Sequence, residues 1–395
     1  MNTGKYVFSQ ALDYVSRYEF DKFVKLYNGD RGVRELNCWN QFIQLFFGQL
    51  TSLNSLRDIC LCLKAHNNKL YHLGIKKYVT HTTLSRANEN RDYRIFADFG
   101  YYLIQQVRPL YAHTPVQKID IDNDIFALDS TSISCSINLM TWAEGKYARG
   151  AVKVHTLLDL RGSIPKFIHI TDGKYHDANA LDLIIPQPDA IYLMDKAYVD
   201  FDALYRMQEA GSFFVTRAMS NQKYDVVDQN FNIDQTTGLR YDKTIALTVA
   251  KSRKLYPKNL RLIEFYDQEK DNYLIFLSNN FEVSALEIAN LYKNRWQIET
   301  FFKWIKQNLT IKKFWGYSPN AVKVHIWIAI CTYLIVAYIK HSVRSEFSIY
   351  EVMQILSISA FDKTPLTELL TSFQVKQNVK ELQYNLFAGG DFLNF

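Results

Sequence analysis

The chain has 395 residues, enough for two or three domains and a sizeable core. Hydrophobic residues make up 48 % and aromatics 15 %, which excludes a disordered protein. Lys and Arg number 46 against 40 Asp and Glu, and this charge of +6 is too mild to indicate nucleic acid by itself.

Residues 1–115 lack strand alternation and are expected to form an all-α N-terminal domain. Phe8, Leu12, Val15, Phe20 and Phe23 suggest a first helix pair, closed by a turn over 27–32. Trp39, Phe42, Ile43, Leu45, Phe46 and Leu50 predict a dense apolar helix, and Ser55 an N-cap for the next. The Thr-led segment 80–91, with Arg86 and Arg91, would suit the second helix of a helix-turn-helix or an ordinary capped surface helix.

After Pro115 the pattern turns to strands. Residues 125–131 form a short apolar run that ends around Asp129. Residues 151–158 and 164–170 read as two strands joined by a hairpin turn at 159–162. Asp177 can N-cap a helix to Leu183, and 191–195 is a second apolar run ending in an acid, Asp195. A helix over 201–210 closes at Gly211, and 212–216 is another strand. Residues 244–249, 260–266 and 273–277 predict strands of an inserted β subdomain spanning 218–280. Ser284 and Glu287 then form a capping box that reopens helix.

Residues 324–339 are almost wholly apolar. The run is shorter than a span needs, contains His325 and is flanked by Lys323 and Lys340, so it predicts a buried core helix. The N-terminus has no apolar signal-peptide core. The five cysteines lack zinc spacing and are odd in number, as ordinary thiols in a reducing cytosol would be. Residues 346–395 read as amphipathic helix and a polar tail.

Residues 291–306 contain no Gly or Pro, and their apolar positions recur at helical spacing. On one helix, Tyr292, Arg295, Glu299 and Lys306 fall within a sector of about 60°. Leu291, Ile298, Phe301, Phe302, Ile305 and Leu309 form a separate core-facing flank. The polar face fits an i,i+4 salt-bridge pattern, or a metal-binding carboxylate flanked by phosphate-gripping groups. Between positions 291 and 323 there are seven Lys or Arg and a single acid, Glu299.

The spacing Y-(2)-R-(3)-E-(6)-K, carried by Tyr292, Arg295, Glu299 and Lys306, resembles the signature of bacterial insertion-sequence transposases of the DDE class, in the IS-four family. Asp129 in Leu-Asp-Ser-Thr and Asp195 in Asp-Lys-Ala-Tyr match that family's first and second acids, although Ala197 stands where it often has Gly. The helical leader, from Cys38 to Leu50 and from Ser55 to Asp58, resembles one subgroup. The resemblance implies an α/β fold: a ribonuclease H-like catalytic domain (116–217 and 281–345) carrying the β insertion, after a DNA-end-binding helical domain (1–115) and before a C-terminal helical region (346–395). It implies catalysis by Asp129, Asp195 and Glu299, which would hold two Mg²⁺ ions, with Mn²⁺ as a substitute. Tyr292, Arg295 and Lys306 would bind DNA phosphates.

The expected activity is cleavage of element ends and their joining to target DNA. The partner is double-stranded DNA, with a homodimer assembled on it, no membrane, and a cytoplasmic, nucleoid-associated location. Two alternatives stay open: a ribonuclease H-like nuclease that does not join, and a catalytically silent DNA-binding derivative. Asp159, Asp172, Asp177 and Asp189 are expected in turns or caps. The adjacent His176 and Asp177 are left without a role.

Overall fold

A computed structural model describes residues 4–371, except 137, 139, 144 and 146–149. The chain divides into two compact units. One comprises residues 108–304, the other residues 1–107 and 305–395. The expected polar tail beyond 371 lies outside the described residues.

The 108–304 unit is built on one nine-stranded sheet. Its strands are β1 (Ile125–Cys135), β2 (Gly150–Asp159), β3 (Ile164–Asp172), β4 (Ile191–Met194), β5 (Phe213–Arg217), β6 (Tyr224–Asn230), β7 (Leu239–Leu247), β8 (Leu260–Asp267) and β9 (Asn272–Ser278). Their spatial order is β3-β2-β1-β4-β5-β9-β8-β7-β6. β3, β2 and β1 pair antiparallel, then β1, β4 and β5 pair parallel. This is the ribonuclease H-like order. The parallel strands are covered on both faces, so Ile125 to Leu128 and Ile191 to Met194 are fully buried apolar runs without alternation. The tight β2–β3 hairpin needs glycine at Gly162. Its φ is +79°, and a Cβ there would come within 2.5 Å of Tyr111.

The expected β insertion is continuous with this sheet, because β9 hydrogen-bonds to the otherwise open edge of β5. It also holds a strand not expected from sequence, β6, whose polar, exposed residues hide its pairing with β7.

The other unit is helical. It contains α1 (Val7–Leu12), α2 (Arg17–Leu26), α3 (Cys38–Leu50), α4 (Leu56–Ala65), α5 (His81–Asn90) and α6 (Arg94–Val107). In the 108–304 unit follow α7 (Phe201–Glu209), α8 (Ala250–Leu255) and α9 (Ala285–Asn294); α10 (Trp296–Asn308) then runs across the boundary. Last come α11 (Pro319–Ser342) and α12 (Ile349–Ile358). Two of the expected caps are present: Ser55 accepts from the Asp58 N–H, and Ser284 and Glu287 form their capping box. All of α3 is buried, and α11 packs against α3, α5, α6 and α12. α11 is long and apolar enough to cross a membrane, yet 89 % of its apolar window lies inside the protein, as in a core helix. Fifteen residues, 66–80, separate α4 from α5. That connection contains a 3-10 stretch at Asn67–Leu73, and only three residues, 91–93, separate α5 from α6.

Candidate active site

The site starts from strand register. Leu128 on β1 pairs in parallel with Met194 on β4. The next residues are Asp129 and Asp195, and Asp195 keeps an extended backbone (φ −78°, ψ 163°) past the end of β4. Equal steps from a register pair put both carboxylates on the same face of adjacent strands. Asp129 was expected at a strand end. It lies within β1, which runs on to Cys135 paired only with β2, and it is the partner strand β4 that ends there.

Glu299 reaches this point from α10 through Arg295. The single helix expected over 291–306 is two helices meeting at Arg295. There the Arg295 N–H bonds to the Tyr292 carbonyl at 3.0 Å, a three-residue closure that tightens the turn. Asn294 ties the joint down by donating to the Gln117 carbonyl at 2.9 Å. The expected apolar flank is buried throughout: Leu291, Ile298, Phe301, Phe302, Ile305 and Leu309 are each at most 5 % exposed.

At the joint, Arg295 Nη1 donates to Asp129 Oδ2 at 3.0 Å and Nη2 to Glu299 Oε1 at 2.6 Å. The guanidinium is mostly buried. It lies 5.7 Å from the Tyr292 ring centroid, and Tyr292 in turn packs on Phe276 at 4.9 Å. Burial pushes the Tyr292 phenol up to about 12, and Asp195 adds to the shift. Burial also raises Asp129, with Glu299 and Asp195 adding to it, against the Ser130 N–H and Arg295. Asp195 Oδ1 accepts the Lys196 N–H at 2.7 Å. Lys306, in the last turn of α10, belongs to the helical unit. It is half-buried, and burial and Lys312 lower its pKa.

Three carboxylates without thiol or imidazole form an oxygen-only donor set, which suits a hard divalent cation. Among the described residues, however, no three acid, His or Cys side chains gather closely enough to enclose an ion. A positive charge already stands between two of the three acids, that of Arg295.

A second polar cluster lies beside Asp129 and is not evident from sequence. Ser130 Oγ donates to Asp177 Oδ1 at 2.6 Å. Lys153 Nζ donates to the same oxygen at 3.3 Å and to the Tyr175 carbonyl at 2.8 Å. His155 Nδ1 lies 3.7 Å from it, with the imidazole pushed down to about 4 by burial. Asp177 thus does not cap the 177–183 segment, a 3-10 stretch in which His176 holds the cap position without a side-chain bond. The one available signal was Lys153 and His155 alternating within the apolar β2 run. Asp159 takes Arg108 and the Arg161 N–H at the hairpin, and Asp172 accepts the Lys174 N–H in the next turn.

Two families match the chain. A domain of unknown function (DUF4372) covers residues 3–76, and the family described as "Transposase DDE domain" covers residues 120–335, more than half of the chain. A Sinorhizobium fredii protein carrying a transposase name, y4zB, is 34 % identical over 209 residues, 52 % of this chain and 58 % of that protein. A protein of Geobacillus stearothermophilus, named as a transposase for insertion sequence element IS5377, is 26 % identical over 223 residues, 56 % and 58 % of the two chains. One of Synechocystis, named as a transposase for insertion sequence element IS4SA, is 27 % identical over 258 residues, 64 % and 70 %. The match thus spans little more than half the length of the first two relatives. By the extent of the second family match, which includes Asp129, Asp195 and Glu299, the chain belongs to the transposase DDE domain family.

Proposed function

We propose that this protein is a DNA transposase that binds the ends of an insertion sequence, cleaves them and joins them to target DNA. The observation that carries this is the register of Asp129 against Asp195, with Glu299 drawn to Asp129 through one guanidinium. Asp129, Asp195 and Glu299 would hold the divalent cations, two Mg²⁺ ions by donor type, or Mn²⁺ in their place. Bound there, such a pair supplies an activated water or 3′-hydroxyl and neutralises charge on the leaving oxygen.

The chain's own residues do the rest. The Ser130 and Lys196 N–H groups orient the Asp129 and Asp195 carboxylates. Tyr292, whose ring is buried on Phe276, lies beside Arg295 and acts with it on a DNA phosphate. When a DNA strand enters, a phosphate competes with Glu299 and Asp129 for that guanidinium, and Arg295 positions it without reading sequence. Lys306, seven residues beyond Glu299 on α10, contacts a neighbouring phosphate. The helical leader contributes recognition of element ends. Assembly is as a homodimer on DNA, in the bacterial cytoplasm at the nucleoid.

The test uses the full chain on linear duplex that carries the DNA flanking its own gene, with Mg²⁺ or Mn²⁺. Cleavage followed by joining to a second duplex supports the proposal. Cleavage without joining indicates a nuclease, and binding alone a silent derivative. Asp129→Ala, Asp195→Ala and Glu299→Ala should each abolish cleavage and leave duplex binding intact. A variant that still cuts at near-normal rate removes its residue from the metal site.

A further inference from the structure

The helical unit carries a charged groove of about 570 Å³ between the 27–36 loop and α5. From α5 it is lined by Thr83, Arg86, Ala87 and Asn90, whose spacing of three, four and seven residues is a single helix face. From the loop come Arg31, Arg34 and Glu35, and Arg91 and Asp92 close one end.

The charges are unevenly matched. Glu35 is paired with Lys77 at 2.8 Å, and Asp92 with Arg94 at 2.5 Å, so both lining acids have a cation of their own. Arg91 is a brace: it donates to Gln41 Oε1 at 2.7 Å and to the Leu36 carbonyl, fixing the end of the loop. Arg31, Arg34 and Arg86 are exposed, and no side-chain hydrogen bond or ion pair joins their guanidinium groups to any described residue. Glu89, on the same helix, is not part of the lining. Three guanidinium groups without side-chain partners around one groove repel one another. Their planar donor forks match phosphate oxygens, and a chain of phosphates relieves their repulsion.

We infer that this groove binds the phosphodiester backbone of duplex DNA, with Arg31, Arg34 and Arg86 each neutralising a phosphate and Arg91 holding the loop in place. The inference rests on the proposal that the protein acts on DNA, and it assigns part of that binding to a particular surface of the helical unit. Backbone contacts of this kind position the duplex and carry no base sequence. They leave a defined signature in salt dependence, because each neutralised phosphate releases counterions.

The test measures binding of the full-length protein to two labelled duplexes across a KCl series, one of arbitrary sequence and one taken from the DNA flanking its gene. R31A/R34A/R86A should lower the slope of log K against log salt by about 3, and weaken binding on the order of tenfold or more, equally on both duplexes. R31K/R34K/R86K should keep most of the slope. K5A/R17A/K22A removes as much charge from cations that already have acid partners, and should change the slope far less. A wild-type slope in the R31A/R34A/R86A variant overturns the groove assignment and leaves DNA binding standing. Loss confined to the flanking-DNA duplex overturns the backbone assignment, and loss of binding to polyglutamate with duplex binding unchanged moves the groove to an acidic protein partner. A wild-type protein that binds neither duplex overturns the functional proposal as well. Unchanged circular dichroism and melting temperature separate these outcomes from misfolding.

Discussion

Arg295 and Asp129 are 166 positions apart in sequence, and Arg295 Nη1 donates to Asp129 Oδ2 at 3.0 Å. The same guanidinium bonds Glu299. One fixed cation therefore balances two of the three acids of the candidate site, and a cation added between those two would compete with it.

Replacing Arg295 with Gln should then tighten cation binding to the DNA-free protein. Removing a unit charge a few ångströms from two carboxylates is worth on the order of tenfold in affinity even at a high effective dielectric. Isothermal titration with Mn²⁺ measures this without any reaction taking place. Under the proposed function cleavage should nevertheless fall, because the same guanidinium would position a phosphate once DNA is present. Equal Mn²⁺ affinity in wild type and Arg295→Gln would show that the guanidinium and the cation do not share these carboxylates.

Lys306 and Lys303 lie on the same helix in different surroundings. Lys303 is exposed, whereas Lys306 is half-buried and its charge is disfavoured first by burial and then by Lys312. A phosphate beside Lys306 would relieve both effects. Lys306→Ala should therefore weaken assembly on DNA and reduce cleavage, leaving Mn²⁺ binding unchanged, and Lys306→Glu should be worse. Lys303→Ala should do less on both counts, as measured by filter binding and cleavage across a salt series. Equal damage from the two alanine variants would leave only a general basic patch.

What could be read from the sequence follows how locally each feature is encoded. Asp129 and Asp195 stand out because each follows a short apolar run, and such runs mark strands buried on both faces. The buried flank from Leu291 to Leu309 is set by helical periodicity, which survives the break at Arg295. The break itself leaves no Gly or Pro in the sequence. Beside it Asn294 donates to the Gln117 carbonyl, a contact across 177 positions that no local pattern announces. Asp177 is similar: its neighbours Ser130 and Lys153 come from β1 and β2, and only the antiparallel register brings those strands together. Strand β6 was hidden because four of its seven residues in a row are exposed, so it lacks the alternation that marks a half-buried strand.

The Asp177 cluster makes a prediction about stability. Asp177→Ala would leave the buried Lys153 ammonium with the Tyr175 carbonyl as its remaining described acceptor, and the Ser130 hydroxyl without its acceptor. The expected cost is about 1–3 kcal/mol. Asp177→Asn keeps an acceptor and should recover part of it. Asp177→Ala combined with Lys153→Met should be less destabilised than Asp177→Ala alone, because the stranded charge is gone. Chemical denaturation of wild type, Asp177→Ala, Lys153→Met and the double variant gives the coupling. Additive losses would mean that Lys153 does not depend on Asp177.

His325, within the long apolar run of α11, links stability to pH. It is fully buried; the Trp315 N–H donates to its Nδ1 at 3.2 Å, and the two rings stack at 4.0 Å. A ring that accepts at Nδ1 is neutral, with its proton on Nε2. Burial pushes its pKa down to about 3. In the unfolded chain a histidine takes up its proton near about 6.5. Between these values the unfolded state binds more protons than the folded one. His325 therefore gives its full support above about 6.5, and that support is lost as pH falls toward about 3, at up to about 1.4 kcal/mol per pH unit. His325→Gln keeps an acceptor for the Trp315 N–H and has no proton to gain. The wild type should be the more stable near neutral pH, and its advantage should shrink as the solution is acidified. Urea unfolding of both proteins at a series of pH values from about 7 down to about 5 measures the difference. Parallel loss of stability in the two proteins across that range would mean that His325 is not held neutral by the fold.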